Sequence, residues 1–233
     1  MFIELCTARL EDCLKAKDQG FDRIELNADL VTDGLTPTFG LASSALEQVD
    51  LPIVMMLRPR GGGFCYSDLE YDVMMTDLEW LLKLKPEAIA VGILTHDGMI
   101  DEVRMKRIID RCHEEEVKVV FHRAFDVITG YSLDEAVERL IVLGVDRILT
   151  SGGAKTAIEG VDTLARLQEK YGDQITFVAG AGITTENVVE IKSQTGLTEF
   201  HGSFSVPFED PTSEGPNVSY EVLLLKLNDQ VKW

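Results

Sequence analysis

The sequence is short of basic residues: 22 Lys and Arg stand against 40 Asp and Glu, a formal net charge of −18 over 233 residues. Such a field repels polyphosphates. No run of Lys or Arg supplies a local basic patch, so duplex nucleic acid is a poor partner class. Cysteine is scarce as well, with Cys6, Cys13, Cys65 and Cys112 at irregular spacing. They form no CxxC pair and no disulfide scaffold, and a reduced, cytoplasmic setting is the expectation. There is no HExxH, and neither Ser151 nor Ser203 sits in a G-x-S-x-G turn. Zinc-protease and serine-hydrolase chemistry therefore lack a signal. No stretch approaches the ~18 uninterrupted apolar residues of a membrane-spanning helix. The start, Met1-Phe2-Ile3-Glu4, lacks the basic region of a secretory leader.

What is present is ordinary globular composition, 45% hydrophobic and 27% charged, enough to bury a sizeable core. Short β-branched or apolar runs begin near Phe2, Arg23, Ile53, Ala88, Val117, Arg147, Ile175 and Glu199, at steps of 21 to 35 residues. Helical patterns fill the gaps. Thr36-Pro37 offers an N-cap with Pro at the first helical position. Ser67 to Glu70 and Ser132 to Glu135 read as capping boxes, and Gly20, Gly144, Gly172 and Gly196 sit where helices stop. Eight strands alternating with helices predict a parallel sheet closed into one (β/α)8 TIM barrel, a single domain over residues 1–233. An open doubly wound sheet is the competitor, and no phosphate-loop fingerprint after the first strand favours it. Pro207 to Pro216 reads as the last βα loop, followed by a terminal helix through Tyr220 to Leu225.

Alternation along the strands predicts which polar side chains face inward. It collects Glu4, Glu25, Asn27, Arg58, Arg60, His122, Asp126 and His201 in an interior that barrels usually fill with branched apolar residues. One reading is a set of buried ion pairs, with Glu4 and Glu25 neutralising Arg58 and a neighbour. The other is a site at the C-terminal mouth. There Glu25, His122, Asp126 and His201 are the candidates for acid–base chemistry, and Arg58 and Arg60 would stabilise negative charge. Glycines after the last three strands suggest an anion cradle of backbone amides from Ser151, Gly152, Gly180, Gly182 and Gly202. Cys6 and Cys65 could both reach the mouth, and two thiolates would suit monovalent copper.

Five long motifs in order carry a resemblance. They are Asp22 to Leu26, Gly34 to Leu41, Arg58 to Asp68, Phe121 to Asp126 and Ile148 to Gly152, with Gly180 to Ile183 and Glu199 to His201 fitting as well. Over about residues 2 to 205 the chain resembles the CutC copper homeostasis family. The resemblance implies a cytoplasmic (β/α)8 barrel linked to copper tolerance and to monovalent copper, with no organic cofactor. Many members carry Cys at the position of Asn27. Of the thiols discussed as copper ligands Cys6 remains, so copper binding here is expected to rest on Cys6 or Cys65 and to be weaker. The alternative is a barrel enzyme acting by acid–base chemistry on a small phosphorylated or carboxylated metabolite. The expected partner is thus a small ligand or metal ion at the mouth, with no membrane. Self-association stays open.

Overall fold

A computed structural model describes residues 1–204, 206–208 and 219–221. Eight parallel strands close into a barrel in sequence order: β1 (Phe2–Thr7), β2 (Arg23–Leu26), β3 (Ile53–Met56), β4 (Ala88–Val91), β5 (Lys118–Phe121), β6 (Arg147–Thr150), β7 (Thr176–Ala179) and β8 (Glu199–Gly202). The helices are α1 (Leu10–Gln19), α2 (Phe39–Gln48), α3 (Asp68–Lys83), α4 (Glu102–Glu114), α5 (Leu133–Leu143), α6 (Val161–Tyr171) and α7 (Val188–Thr195). The eight predicted strand starts thus fall on the eight barrel strands, and the open-sheet alternative is removed. Among the described residues no helix is long and apolar enough to cross a membrane.

Local chemistry sets most boundaries. Ser67 and Glu70 form the full reciprocal capping box of α3. Ser132 accepts from the Glu135 amide at the start of α5, but the Glu135 carboxylate turns to Arg139. Gly20 and Gly144 end α1 and α5 at φ 93°, a left-handed backbone that suits glycine. Two expectations need correction. The N-cap of α2 is Thr38, which accepts from the Leu41 amide. Thr36 instead lies beside the backbone of Arg58, accepting from its amide at 2.9 Å and donating to its carbonyl at 3.1 Å. The expected helix from Tyr220 is not found at its start. Ser219–Glu221 (β10) pairs antiparallel with Val206–Phe208 (β9), and residues 222–225 lie outside the described residues.

The barrel interior is divided lengthwise. Strands β3 to β7 supply an apolar wall of Val54, Met56, Ala88, Ala90, Val120, Leu149 and Val178. The adjoining β8, β1 and β2 supply a polar wall, in which Glu4, Arg23, Glu25 and His201 are all buried. Closure brings that wall together, because Glu4 pairs with Arg23 on one side and with His201 on the other.

Candidate functional site

The polar wall begins at the N-terminal floor. Arg23 pairs with Glu4 and donates to Glu199 at 2.6 Å. Arg147 grips Glu87 through both terminal nitrogens, at 2.6 and 3.0 Å, and Lys118 adds a third contact to Glu87. Strand alternation predicts buried ion pairs involving Glu4, and the Arg23–Glu4 pair is one, with a different partner. Glu4 and Glu25 do not neutralise Arg58. Glu4 serves Arg23 and His201. The missed residues share the phase of the predicted ones: Arg23 lies two before Glu25, and Glu199 two before His201. Alternation followed one step down each strand finds them.

Above the floor the wall continues toward the mouth. His201 Nδ1 lies 2.7 Å from Glu4 Oε1, and its Nε2 lies 3.9 Å from Glu25 Oε2. Cys6 Sγ is 3.6 Å from the same Glu25 oxygen. Asn27 donates to that oxygen at 2.9 Å and to Cys6 Sγ at 3.4 Å. Donor atoms of Cys6, Glu25 and His201 all lie within 4.8 Å of one another, a spacing that can hold a metal ion. Burial opposes charge on His201, but Glu25, Cys6 and Glu4 outweigh it and raise its pKa well above the ordinary value. Burial pushes the Cys6 thiol up to about 11 and raises Glu25. Glu4 resists the same upward push, because Arg23 and His201 hold it at about 2.

A second group stands across the mouth. His122 follows β5, and its Nδ1 accepts from the Ala124 amide at 3.1 Å, which leaves the proton on Nε2. Burial, and after it the Arg58 charge, lowers its pKa to about 3, so the ring is neutral. Arg58 is buried and donates to the carbonyls of Thr32, Asp33, Gly34 and Gly62. Phe64 joins the two, its ring 4.9 Å from the His122 ring and 5.0 Å from the Arg58 guanidinium. The His122 ring also rests on Gly92. A Cβ there would stand 2.7 Å from its Cε1 and Nδ1 and from Ala124 Cβ. Gly92→Ala is therefore expected to destabilise by about 1–3 kcal/mol through overpacking, read as a lower midpoint in urea.

The other sequence candidates are placed differently. Arg60 is not inward. It donates to Glu70 at 2.5 and 3.3 Å and to the carbonyls of Gly61, Gly63 and Cys65, stapling the loop after β3 onto α3. Asp126 accepts from Thr150 Oγ1, the amides of Ser151 and Gly153, and Arg123. It thus occupies the Ser151 amide proposed for an anion. The Gly152 amide donates to Thr150 Oγ1 and the Gly180 amide to the Thr150 carbonyl. Gly182 and Gly202 lie after β7 and at the end of β8, where a Cβ on Gly202 would crowd Phe204 at 2.9 Å. Cys65, in the stapled loop, does not join the Cys6 group among the described residues.

Known proteins match the chain over this barrel. The CutC family model covers residues 1–206. A CutC protein of Bacteroides fragilis is 39% identical over 201 residues, 86% of this chain and 78% of its own. One from Mesorhizobium japonicum is 40% identical over 199 residues, 85% and 76% of the two chains. The crystal structure of a CutC protein from Streptococcus agalactiae, provisionally assigned to copper homeostasis, superposes with a TM-score of 0.82 at 31% identity, covering 87% of this chain and 98% of that one. Deoxyribose phosphate aldolase from Aeropyrum pernix, TM-score 0.63 at 16% identity over 87% and 84% of the two chains, shares the fold alone. With the family model spanning all eight barrel strands, the chain belongs to the CutC family.

Proposed function

We propose that this chain handles copper in the cytoplasm, receiving monovalent copper as cargo at Cys6 and His201 with Glu25 beside them. The observation that carries this reading is the convergence of one sulfur, one nitrogen and one carboxylate oxygen within 4.8 Å. A thiolate is the soft ligand that monovalent copper selects, and imidazole also suits copper. His201 is oriented for the role, because Glu4 holds Nδ1 and turns Nε2 toward Cys6 and Glu25. Carboxylate–histidine–metal arrangements use such a hydrogen bond to fix the ring. Asn27 contributes hydrogen bonds to Cys6 and Glu25 and no thiol. Copper must displace the thiol proton of Cys6 and the Nε2 proton of His201, so affinity should rise with pH.

The test is a competitive titration against a chelator of monovalent copper under anaerobic conditions. Cys6→Ser should weaken binding by at least about tenfold, the loss expected of a ligand or its close support. Cys65→Ser should leave the affinity of the parent. An unchanged affinity in Cys6→Ser removes the site.

A further inference from the structure

Among the described residues, three buried groups near the mouth that can donate have no hydrogen-bond partner: Arg58 Nε, Tyr66 OH and His122 Nε2. Buried polar groups are ordinarily satisfied, and an orphan at a site is a sign of something that completes it. These three belong to one neighbourhood. Arg58 and His122 pack on the same Phe64 ring. Burial raises the Tyr66 phenol, and the nearby Arg58 charge works against that rise. All three residues are less than 5% exposed.

We propose that Arg58, Tyr66 and His122 form a binding site for a small carboxylate, across the mouth from the Cys6, Glu25 and His201 group and independent of copper.

The charge of Arg58 argues first. Its terminal nitrogens are held by four backbone carbonyls, and among the described residues no carboxylate pairs with it. Arg23, Arg60 and Arg147 each have one. A buried guanidinium stays protonated, and an uncompensated buried charge is costly. An anion answers both the charge and the free Nε–H.

The donor set argues next. His122 presents an N–H, since its other nitrogen already accepts from Ala124. Tyr66 presents a hydroxyl. Together with Arg58 these make three single donors and one positive charge. A monoanionic carboxylate with two oxygens fits that inventory. A phosphate dianion brings a second negative charge that the single guanidinium does not offset. The walls are the Phe64 ring and the loop that Arg58 and Arg60 hold closed through the carbonyls of Gly61, Gly62 and Gly63.

Acetate is the probe, with phosphate and chloride at matched ionic strength as the other arms and a chelator present to keep the protein metal-free. The outcome then does not depend on the copper reading. Acetate should move the His122 ring nitrogen resonances of the labelled parent protein to saturation and raise its melting temperature, since a ligand of the native state alone stabilises it. His122→Asn keeps an acceptor for the Ala124 amide and removes the Nε2 donor. It should bind acetate at least about tenfold more weakly. Should that variant fail to fold, the resonance titration of the parent decides alone. No saturable response to acetate overturns the proposal and leaves water as the partner of the three groups. Saturation by phosphate but not acetate overturns the carboxylate class. Equal acetate binding by parent and folded His122→Asn removes His122 from the site.

Discussion

Replacing Arg23 by Met should lower the unfolding free energy by about 3–5 kcal/mol, the loss typical of breaking a buried ion pair from one side. Met preserves most of the volume, so the effect isolates the charge. Arg23 is 2% exposed and joins Glu4 on the neighbouring β1 to Glu199 on β8, one strand further round. Without it both carboxylates remain at the floor, and Glu4 keeps only His201 as a cationic partner. A typical domain has a total stability of about 5–15 kcal/mol, so the variant should unfold at markedly lower urea. The double variant Arg23→Met with Glu4→Gln should recover part of the loss, because it removes an orphaned charge as well. Equal stability of the single and double variants would show that packing, not charge, makes Arg23 necessary. Arg60→Ala is the contrast. Its pair with Glu70 is about a third exposed, and such pairs contribute about 0–1 kcal/mol.

Stability should also fall steeply as pH drops from 6.5 toward 3. In the unfolded chain His122 titrates near 6.5, and in the native barrel burial and the Arg58 charge place it at about 3. Between those values the unfolded state binds a proton that the native state refuses, so acid favours unfolding. The full difference amounts to at most about 4–5 kcal/mol. Glu4 acts in the same direction at lower pH. Held at about 2 by Arg23 and His201 against the push of burial, it stabilises above its ordinary 4.5 and loses that contribution as pH falls. His201 does not mask the effect. Its pKa is raised, so its contribution is complete below 6.5 and is lost only as pH rises through its native value. Urea unfolding at a series of pH values checks this. The slope between pH 6.5 and 5 should be shallower in His122→Asn, which has no group to titrate there. Identical slopes would mean that His122 is solvated or already charged in the native protein.

The fold was legible because barrel strands recur at nearly even spacing and their helices begin with recognisable caps. The inward polar residues were legible because a strand alternates faces, which placed Glu25, Asn27, His122 and His201 correctly. What alternation cannot supply is the partner across the barrel. Cys6 meets Glu25 and His201 rather than Cys65, because β1 lies between β2 and β8 while Cys65 is carried on a loop held by Arg60. Charge alone marks the arginines of the Arg58-Pro59-Arg60 run as anion donors. A long guanidinium chooses among carbonyls and carboxylates by reach, however, and Arg60 found Glu70 and three loop carbonyls. Spacing alone leaves the amides of Ser151 and Gly152 free after β6, but they donate to Asp126 and Thr150. A side chain three residues past a strand can turn back into a neighbouring loop, and strand periodicity holds no information about that.

The contact between Glu4 and His201 joins residues 197 positions apart. Synthesis at ~5–20 residues per second separates the emergence of those two side chains by roughly 10–40 s. During that interval β1 has no β8 to pair with, and the carboxylate of Glu4 is kept in water by its own charge. A nascent chain of this barrel therefore carries a solvated acid in its first strand that discourages that strand from burying itself early against a wrong neighbour. Arg23 arrives soon after, but the imidazole that completes the wall comes last, so closure of the ring and assembly of the Cys6, Glu25 and His201 group are one event. Non-local pairing of this kind folds slowly, and the Cys6, Glu25 and His201 group cannot assemble before it.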